Sequence, residues 1–306
     1  MISDAAAARL ARLPHIKRAR GFRLYAPKER RILDLYQDGG RAMLGHRPGK
    51  LVHDVKNVLE RGVLSPFPSP EPDRVRKIVA SLLEQTMPRD VWAKPFTYEH
   101  VLLYPTVESA LDAVRATGTS PRVWDPVAVS PTAGRGGAGV TVAGGHRAGG
   151  EASREVWLWR PELPEAVWAG HGVQRARAVI VLLPLPSAFS VIPLLLQAAA
   201  TRPAPPLPEP SLRAATLVGH MTMRLEARPE PAVPGFRSTG PYLTMADVDH
   251  IDEATYEQRF LRFLEHDILI SPDSSYPSIY PREMSEGEQK KLERVALEIM
   301  GGQRGE

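Results

Sequence analysis

The chain has 306 residues, 43% of them hydrophobic, with a formal net charge of +4 and no cysteine. That length supplies a core for one large domain or two modest ones, and the missing thiols exclude disulfides, a thiolate nucleophile and a cysteine-bound zinc. The basic excess is mild and sits mostly before residue 60, in Lys17, Arg18, Arg20, Arg23, Lys28, Arg30 and Arg31, where acidic and apolar residues interrupt it; this argues against a nucleic-acid partner.

Residues 1–13 are alanine-rich, carry Arg9 and Arg12, and lack the continuous apolar core of a signal peptide, which points to a cytoplasmic location. Residues 6–20 read as a short basic helix. The run 21–35, with Phe22, Leu24, Ile32, Leu33 and Leu35 around a turn at 27–30, reads as a hairpin. After the loop bearing Gly39, Gly40 and Gly45, apolar Leu51, Val52, Val55, Val58 and Leu59 recur at helical spacing, and Gly62 is a stop signal. Pro66, Pro68, Pro70 and Pro72 form a loop, and Asp73 can cap a helix over 74–85. Short strands are expected at 101–103, 123–124, 156–159 and 178–183, with a helix opening at Thr106. The glycine-rich stretch 130–150 has too few large apolar residues to pack.

Residues 178–201 contain no charge, a length that could cross a bilayer. Pro184, Pro186 and Pro193 would each remove a backbone donor there, so the expectation is a buried strand, a proline turn and an apolar helix, with no membrane span. Residues 202–210 are a proline linker, 212–225 a helix, and 228–240 a second loop. Thr255 with Gln258, and Ser285 with Glu288, form capping-box patterns for two amphipathic helices, 255–266 and 285–300, with a strand at 268–270 between them. Strands alternating with helices indicate an α/β fold.

Several constellations carry little chemistry. Residues 134–139 spell GxGxxG, but Pro131 precedes them and further glycines follow, where the dinucleotide motif needs a strand and then a helix. Asp247, Asp249, His250, Asp252 and Glu253 form an acidic cluster without the spacing or glycine of a calcium loop, so no metal site is assigned. His46, His53, His100, His146, His171 and His220 show no metal-ligand pairing, and no nucleophile-elbow string occurs.

Three segments fall into a larger pattern. The first is Gly21-Phe22-Arg23-Leu24-Tyr25, then Ile32-Leu33-Asp34, Asp38-Gly39-Gly40 and Leu44-Gly45-His46. The second runs from Leu102 through Pro105, Thr106, Val107 and Glu108 to Arg115. The third comprises Gly240-Pro241-Tyr242-Leu243 and 256–281. In this order, over half the chain, they resemble the class III aminotransferases, pyridoxal-phosphate transferases of fold type I. The resemblance implies a large domain at 51–235 with a reduced, mostly parallel sheet and helices on both faces. It also implies a small α+β domain from both termini, 1–50 and 236–306. A homodimer is implied too, because the family's active sites are shared between subunits. Thr106, Val107 and Glu108 then stand where the family holds the cofactor phosphate, and Tyr242 and Arg282 lie in the part that closes over substrate.

The same resemblance exposes departures. In the family, serine, glycine and threonine precede the glutamate of the phosphate cradle; here Pro105 offers no N–H, Thr106 replaces the glycine and Val107 has no hydroxyl. The family's chemistry needs a lysine late in the large domain, after an aspartate that pairs with the pyridine nitrogen. No lysine occurs between Lys94 and Lys290, and no aspartate–glutamate pair ends a later apolar strand. The expectation is an aminotransferase-like pseudoenzyme with no catalytic residue assigned and pyridoxal phosphate, if present, held without a covalent bond. An active enzyme using an unusually placed or partner-supplied lysine, and a non-enzymatic binding module, are the alternatives.

Overall fold

The computed structural model describes residues 3–60, 74, 77–79, 81–83, 100–117, 122–128, 155–168, 178–184, 192–196 and 227–301. In chain order these form α1 (Asp4–Leu10), β1 (Arg18–Arg20), β2 (Arg23–Tyr25), β3 (Arg31–Asp34) and α2 (Gly49–Glu60). Next come β4 (His100–Tyr104), α3 (Val107–Ala116), β5 (Arg122–Trp124), β6 (Glu155–Trp159), α4 (Glu165–Trp168), β7 (Ala178–Val181) and β8 (Ile192–Leu196). The last group is β9 (Phe236–Thr239), β10 (Tyr242–Met245), α5 (Glu253–Glu265), β11 (Ile268–Leu269), β12 (Ser278–Ile279) and α6 (Glu286–Gly301). The chain divides into two compact units, one of Met1–Pro48, Val127–Gly136 and Arg228–Glu306, the other of Gly49–Pro126 and Gly137–Ala227.

The first unit is built from both ends of the chain. β1, β2 and β3 are antiparallel neighbours, and β11 joins the outer side of β3 in parallel, setting Ile268 beside Leu33 and Leu269 beside Asp34. A second sheet of order β12-β10-β9 is antiparallel throughout. Tyr256, Phe260, Phe263 and Leu264 share one face of α5 and meet Leu292, Val295, Ala296 and Ile299 of α6 in a core that includes Leu24 and Ile32. Gly235 turns the chain into β9 at φ +73, and a Cβ there would lie 2.5 Å from Met300 Cβ, so the close approach requires glycine.

Local expectations changed at three places here. Residues 18–20 are strand, not helix: Pro14 limits α1, and Arg18 pairs with Tyr25 across β2. Phe236–Thr239 is strand inside the expected loop, because Gly240 at φ 57 and Pro241 make a two-residue hairpin to β10. The cap of α5 is Asp252, whose carboxylate accepts the Thr255 amide at 2.8 Å, so Thr255 lies within the helix and not at its start. The Ser285–Glu288 capping box is present: Glu288 Oε2 accepts the Ser285 amide at 2.9 Å and Ser285 Oγ accepts the Glu288 amide at 3.3 Å.

In the second unit β5, β6 and β7 are parallel neighbours, while β8 runs antiparallel between β7 and β4, giving the order β4-β8-β7-β6-β5. Four of these five strands therefore share a direction. All of β7 is buried, as a strand covered on both faces must be. Of the apolar helix expected after 184, the described residues, 192–196, are strand β8. An uncharged run of this length does not distinguish helix from strand by periodicity, and Pro193 is tolerated because it stands opposite Leu103 of β4, beyond the last pair with β7. α3 packs over β4, β8 and β7, placing Ala110, Leu111 and Val114 against Leu102, Ile180 and Leu194. The linker at 202–210, the helix at 212–225 and the glycine-rich stretch 130–150 lie outside the described residues; of the expected helix at 74–85, the described parts are helical.

Two ion pairs give measurable consequences. In the first unit Arg23 holds Glu288 at 2.7 Å through Nε, and with the Ser285 donors this keeps the Glu288 carboxyl down to about 2 from the ordinary 4.5. A depressed carboxyl stabilises the fold fully above its unfolded value, and the contribution disappears as pH falls from about 4.5 toward about 2. Glu288→Gln should therefore flatten the acid limb of stability against pH over that window, measured by urea denaturation; an unchanged limb would refute the assignment. In the second unit Asp125 and Arg160, both buried, pair through both oxygens at 2.7 and 2.6 Å. Removing one partner strands a buried charge, so Arg160→Met should cost about 3 kcal/mol while Asp125→Leu with Arg160→Met recovers much of it; equal losses in the two variants would exclude a charge-driven effect.

Candidate functional site

β4 delivers the chain to the start of α3, where the sequence placed a phosphate cradle. Pro105 ends the strand, Thr106 takes extended backbone angles and becomes the helix cap, and Val107 and Glu108 open the first turn. Thr106 Oγ1 accepts the Ser109 amide at 3.1 Å, while Ser109 Oγ accepts the Thr106 amide at 3.2 Å and donates to the Thr106 carbonyl at 2.9 Å. The two hydroxyls also meet at 3.1 Å. Helix N-termini bind anions through unanswered N–H groups and the helix dipole. Here two of those donors are answered from within the turn, the Thr106 hydroxyl is committed to its cap, and the Glu108 carboxylate already supplies a negative charge to the first turn. Serine at 109, which the family comparison did not single out, is the signal that discloses this: a hydroxyl at the third helical position after a threonine cap closes the turn on itself.

The carboxyl ends of parallel strands are where open α/β sheets bind ligands. At those of β5 and β6 the chain places Asp125 and Arg160, joined to each other, with Glu162 buried nearby in sequence at φ 63. β7 ends at Val181 and continues into Leu182 and Leu183, with no carboxylate to answer a pyridine nitrogen. Among the lysines with described side chains, Lys17, Lys28, Lys56, Lys77 and Lys290 are exposed and Lys291 half-buried; Lys290 pairs with Glu286 and Lys56 with Glu60 on their own helices. Among the described residues no lysine stands at the carboxyl ends of β5, β6 or β7, and the turn at Thr106 answers two of its own donors.

The other residues singled out from sequence belong to the first unit. Tyr242 is buried in β10 opposite Ile279 and Thr239, and Arg282 is exposed after Pro281. The structure thus makes Tyr242 part of a packed sheet. The acidic cluster resolves into separate tasks: Asp247 pairs with Arg259 through both oxygens at 2.7 and 2.8 Å, Asp249 with Arg237 at 3.1 Å, Asp252 caps α5, and Glu253 meets the buried Arg9. The Arg259 guanidinium holds the Asp247 carboxyl below the usual range. The GxGxxG string at 134–139 lies outside the described residues.

One polar cluster was not assembled from sequence. Buried Asp34 accepts the Tyr36 and Gln37 amides at 2.9 and 2.8 Å through Oδ1 and lies 2.6 Å from His46 Nε2 through Oδ2. The intervening chain makes a left-handed turn, with φ of 49, 51, 65 and 98 at Gln37, Asp38, Gly39 and Gly40. Gln37 is fully buried and its Nε2 donates to the Ile279 carbonyl at 2.9 Å, while its Oε1 has no partner among the described residues. Burial and the neighbouring Asp38 push the Tyr36 hydroxyl up to about 12. Asp34 thus fixes the His46 ring in one orientation. The paired positions are twelve residues apart, and only the excursion through two non-glycine residues at positive φ brings them together, which no periodicity reports. In the sequence Asp34 and His46 stand out only as members of the first segment of the family pattern, not as a pair.

At the cradle, the capping role and an anion-binding role separate cleanly. Thr106→Ala should cost about 1 kcal/mol of stability without changing affinity for inorganic phosphate, followed by urea denaturation and by calorimetric titration. A loss of phosphate affinity with stability unchanged would restore the cradle reading.

No protein-family model matches the sequence. An uncharacterized protein of Borreliella burgdorferi is 51% identical over 57 residues, 19% of this chain and 21% of that protein. An uncharacterized protein of Treponema pallidum is 40% identical over 60 residues, 20% of each, so the match spans about a fifth of the length of these relatives. Among solved structures, ornithine δ-aminotransferase of Plasmodium falciparum superposes with a TM-score of 0.57 over 98% of both chains at 11% identity. An omega-transaminase from Sphaerobacter thermophilus gives 0.58 over 99% of this chain and 98% of that one at 13% identity. A glutamate-1-semialdehyde aminomutase from Pseudomonas aeruginosa in complex with PMP gives 0.59 over 94% and 87% at 11%. At such identities the likeness is one of fold, and the chain is a mixed α/β protein with the fold of pyridoxal-phosphate-dependent aminotransferases.

Proposed function

We propose that this chain is an aminotransferase-like protein that does not carry out transamination, because the Schiff-base lysine and the segment that bore it are missing. The observation that carries the reading is the sequence itself: a chain with this fold has no lysine from 95 to 289. The topology supports it. β7 and β8 are adjacent and antiparallel, connected by residues 182–191 alone. A connection to a parallel strand takes a dozen or more residues and usually a helix, more than residues 182–191 supply. The closed capping box at Thr106 and the Asp125–Arg160 pair support the same reading.

On this reading residues 51–235 are the shortened large domain, and 1–50 with 236–306 the small domain. The protein acts as a homodimer in the cytoplasm, and pyridoxal phosphate, where it enters, is held without a covalent bond. Transferase chemistry of the family begins by exchanging one imine for another at a lysine amine; without that amine, binding is the function that remains.

The test uses the full chain incubated with pyridoxal phosphate, reduced with borohydride and mapped by mass spectrometry. Random surface labelling of exposed lysines is the expected outcome, with no site labelled stoichiometrically and no amine transfer across a panel of amino donors. Stoichiometric labelling of one of the eight lysines, together with turnover, would establish an active enzyme with a relocated lysine. Turnover only when a second protein is added would establish a partner-supplied one.

A further inference from the structure

The register of the first sheet gathers four arginines on one face. Arg18 stands opposite Tyr25, Arg20 opposite Arg23, and Tyr25 opposite Arg31. Side chains alternate along a strand, so these five, with Leu33 opposite Arg23, point to the same side of the sheet, while Ala19, Leu24 and Ile32 point to the other; Leu24, Ile32 and Leu33 all enter the core. Arg18 lies over the Tyr25 ring at 4.3 Å from its centroid. Glu288 takes Arg23 at 2.7 Å and reaches Arg31 at 3.8 Å, and Glu283 raises the Arg23 guanidinium further by its charge. Arg18 and Arg20 are exposed and have no carboxylate partner among the described residues.

Two features make this more than a solvated face. Arg20 and Arg23 are directly opposed like charges, an arrangement that costs stability in an antiparallel pair. Only Arg23 is compensated internally. β1 is also the edge of its sheet among the described residues, none of which pairs with its outer side, and such an edge is a template for a further strand. An added strand would place every second side chain beside Arg18 and Arg20, at the about 5 Å separation of cross-strand neighbours.

We propose that β1 is a docking edge for an extended acidic segment of a partner protein, which pairs with it as an additional strand and sets alternate carboxylates against Arg18 and Arg20. Backbone pairing supplies affinity, and the spacing of the carboxylates supplies selection. Two consecutive positions of one strand face are about 6.6 Å apart, so the preferred segment carries acidic residues at every second position and not in a contiguous block.

The experiment measures fluorescence anisotropy of labelled peptides on the full chain at low and moderate salt. One peptide alternates glutamate with valine; a second has the same composition with the glutamates in one block; a third is the alternating peptide N-methylated at every second backbone amide. The alternating peptide is expected to bind about tenfold more tightly than the block peptide, as two cross-strand charge pairs allow. Both the N-methylated peptide and the variant Arg18→Glu with Arg20→Glu are expected to lose that binding, with the melting temperature of the variant retained. Equal affinity for alternating and block peptides would overturn the proposal, as would undiminished binding of the N-methylated peptide. Preferential binding of single-stranded RNA would replace the strand partner by a polyanion. Absence of all binding would mean that the arginines only guard the edge against aggregation.

Discussion

The first unit depends on one pairing. β11 lies parallel to β3, so residues 33–34 and 268–269 share a ladder although more than two hundred positions of chain separate them. A parallel pair cannot form through a tight turn, and the loop closure it imposes costs entropy that local contacts do not return. The unit offsets that cost by linking the two chain ends repeatedly. Arg9 reaches the Pro272 carbonyl and Glu253, Arg23 reaches Glu288, Arg30 reaches Asp267, and the Leu35 carbonyl accepts the Ile279 amide. Every one of these joins residues before position 48 to residues after position 250. Arg9, Arg23 and Arg30 of the arginine-rich start of the chain thus hold its own far end.

This explains where the sequence could and could not be read. The hairpin of β2 and β3, α2, the β4–α3 joint, the buried β6 and β7, and α5 with α6 are all visible as periodicity and turn chemistry, because each is a local pattern of apolar residues. β1 was hidden because alanine and arginine between 6 and 20 favour helix locally, and only its partner β2 makes it a strand. β8 was hidden for a different reason: an uncharged run buried on both sides has no periodicity to read. The Asp34–His46 pair was hidden because it forms across a left-handed excursion, whose cost of about 1–2 kcal/mol per non-glycine residue is invisible in a sequence that places Gln37 and Asp38 ahead of two glycines.

The candidate site divides the same way. The absent lysine was legible, since an absence in sequence order requires no structure. The fate of the cradle was only half legible. Proline and valine announced lost donors, but the reciprocal use of Thr106 and Ser109 needed coordinates. A similar substitution is found at the ends of β5 and β6, where a carboxylate and a guanidinium that could face a ligand face each other. In both places polar groups that would be costly to bury unpaired have found partners within the chain.

On the proposed reading, internal pairing of this kind bears on how the fold of an enzyme family persists without the family's cofactor chemistry. A bound cofactor stabilises the folded state by mass action, and losing it withdraws that stabilisation while leaving donors and charges unanswered. A chain that answers them itself has less to lose. The Thr106 side chain caps α3, Arg160 neutralises Asp125 at the ends of β5 and β6, and β8 pairs with β7. Each of these pairings leaves fewer unanswered groups in the described part of the second unit. The core and ion pairs of the first unit likewise rest on that unit's own residues.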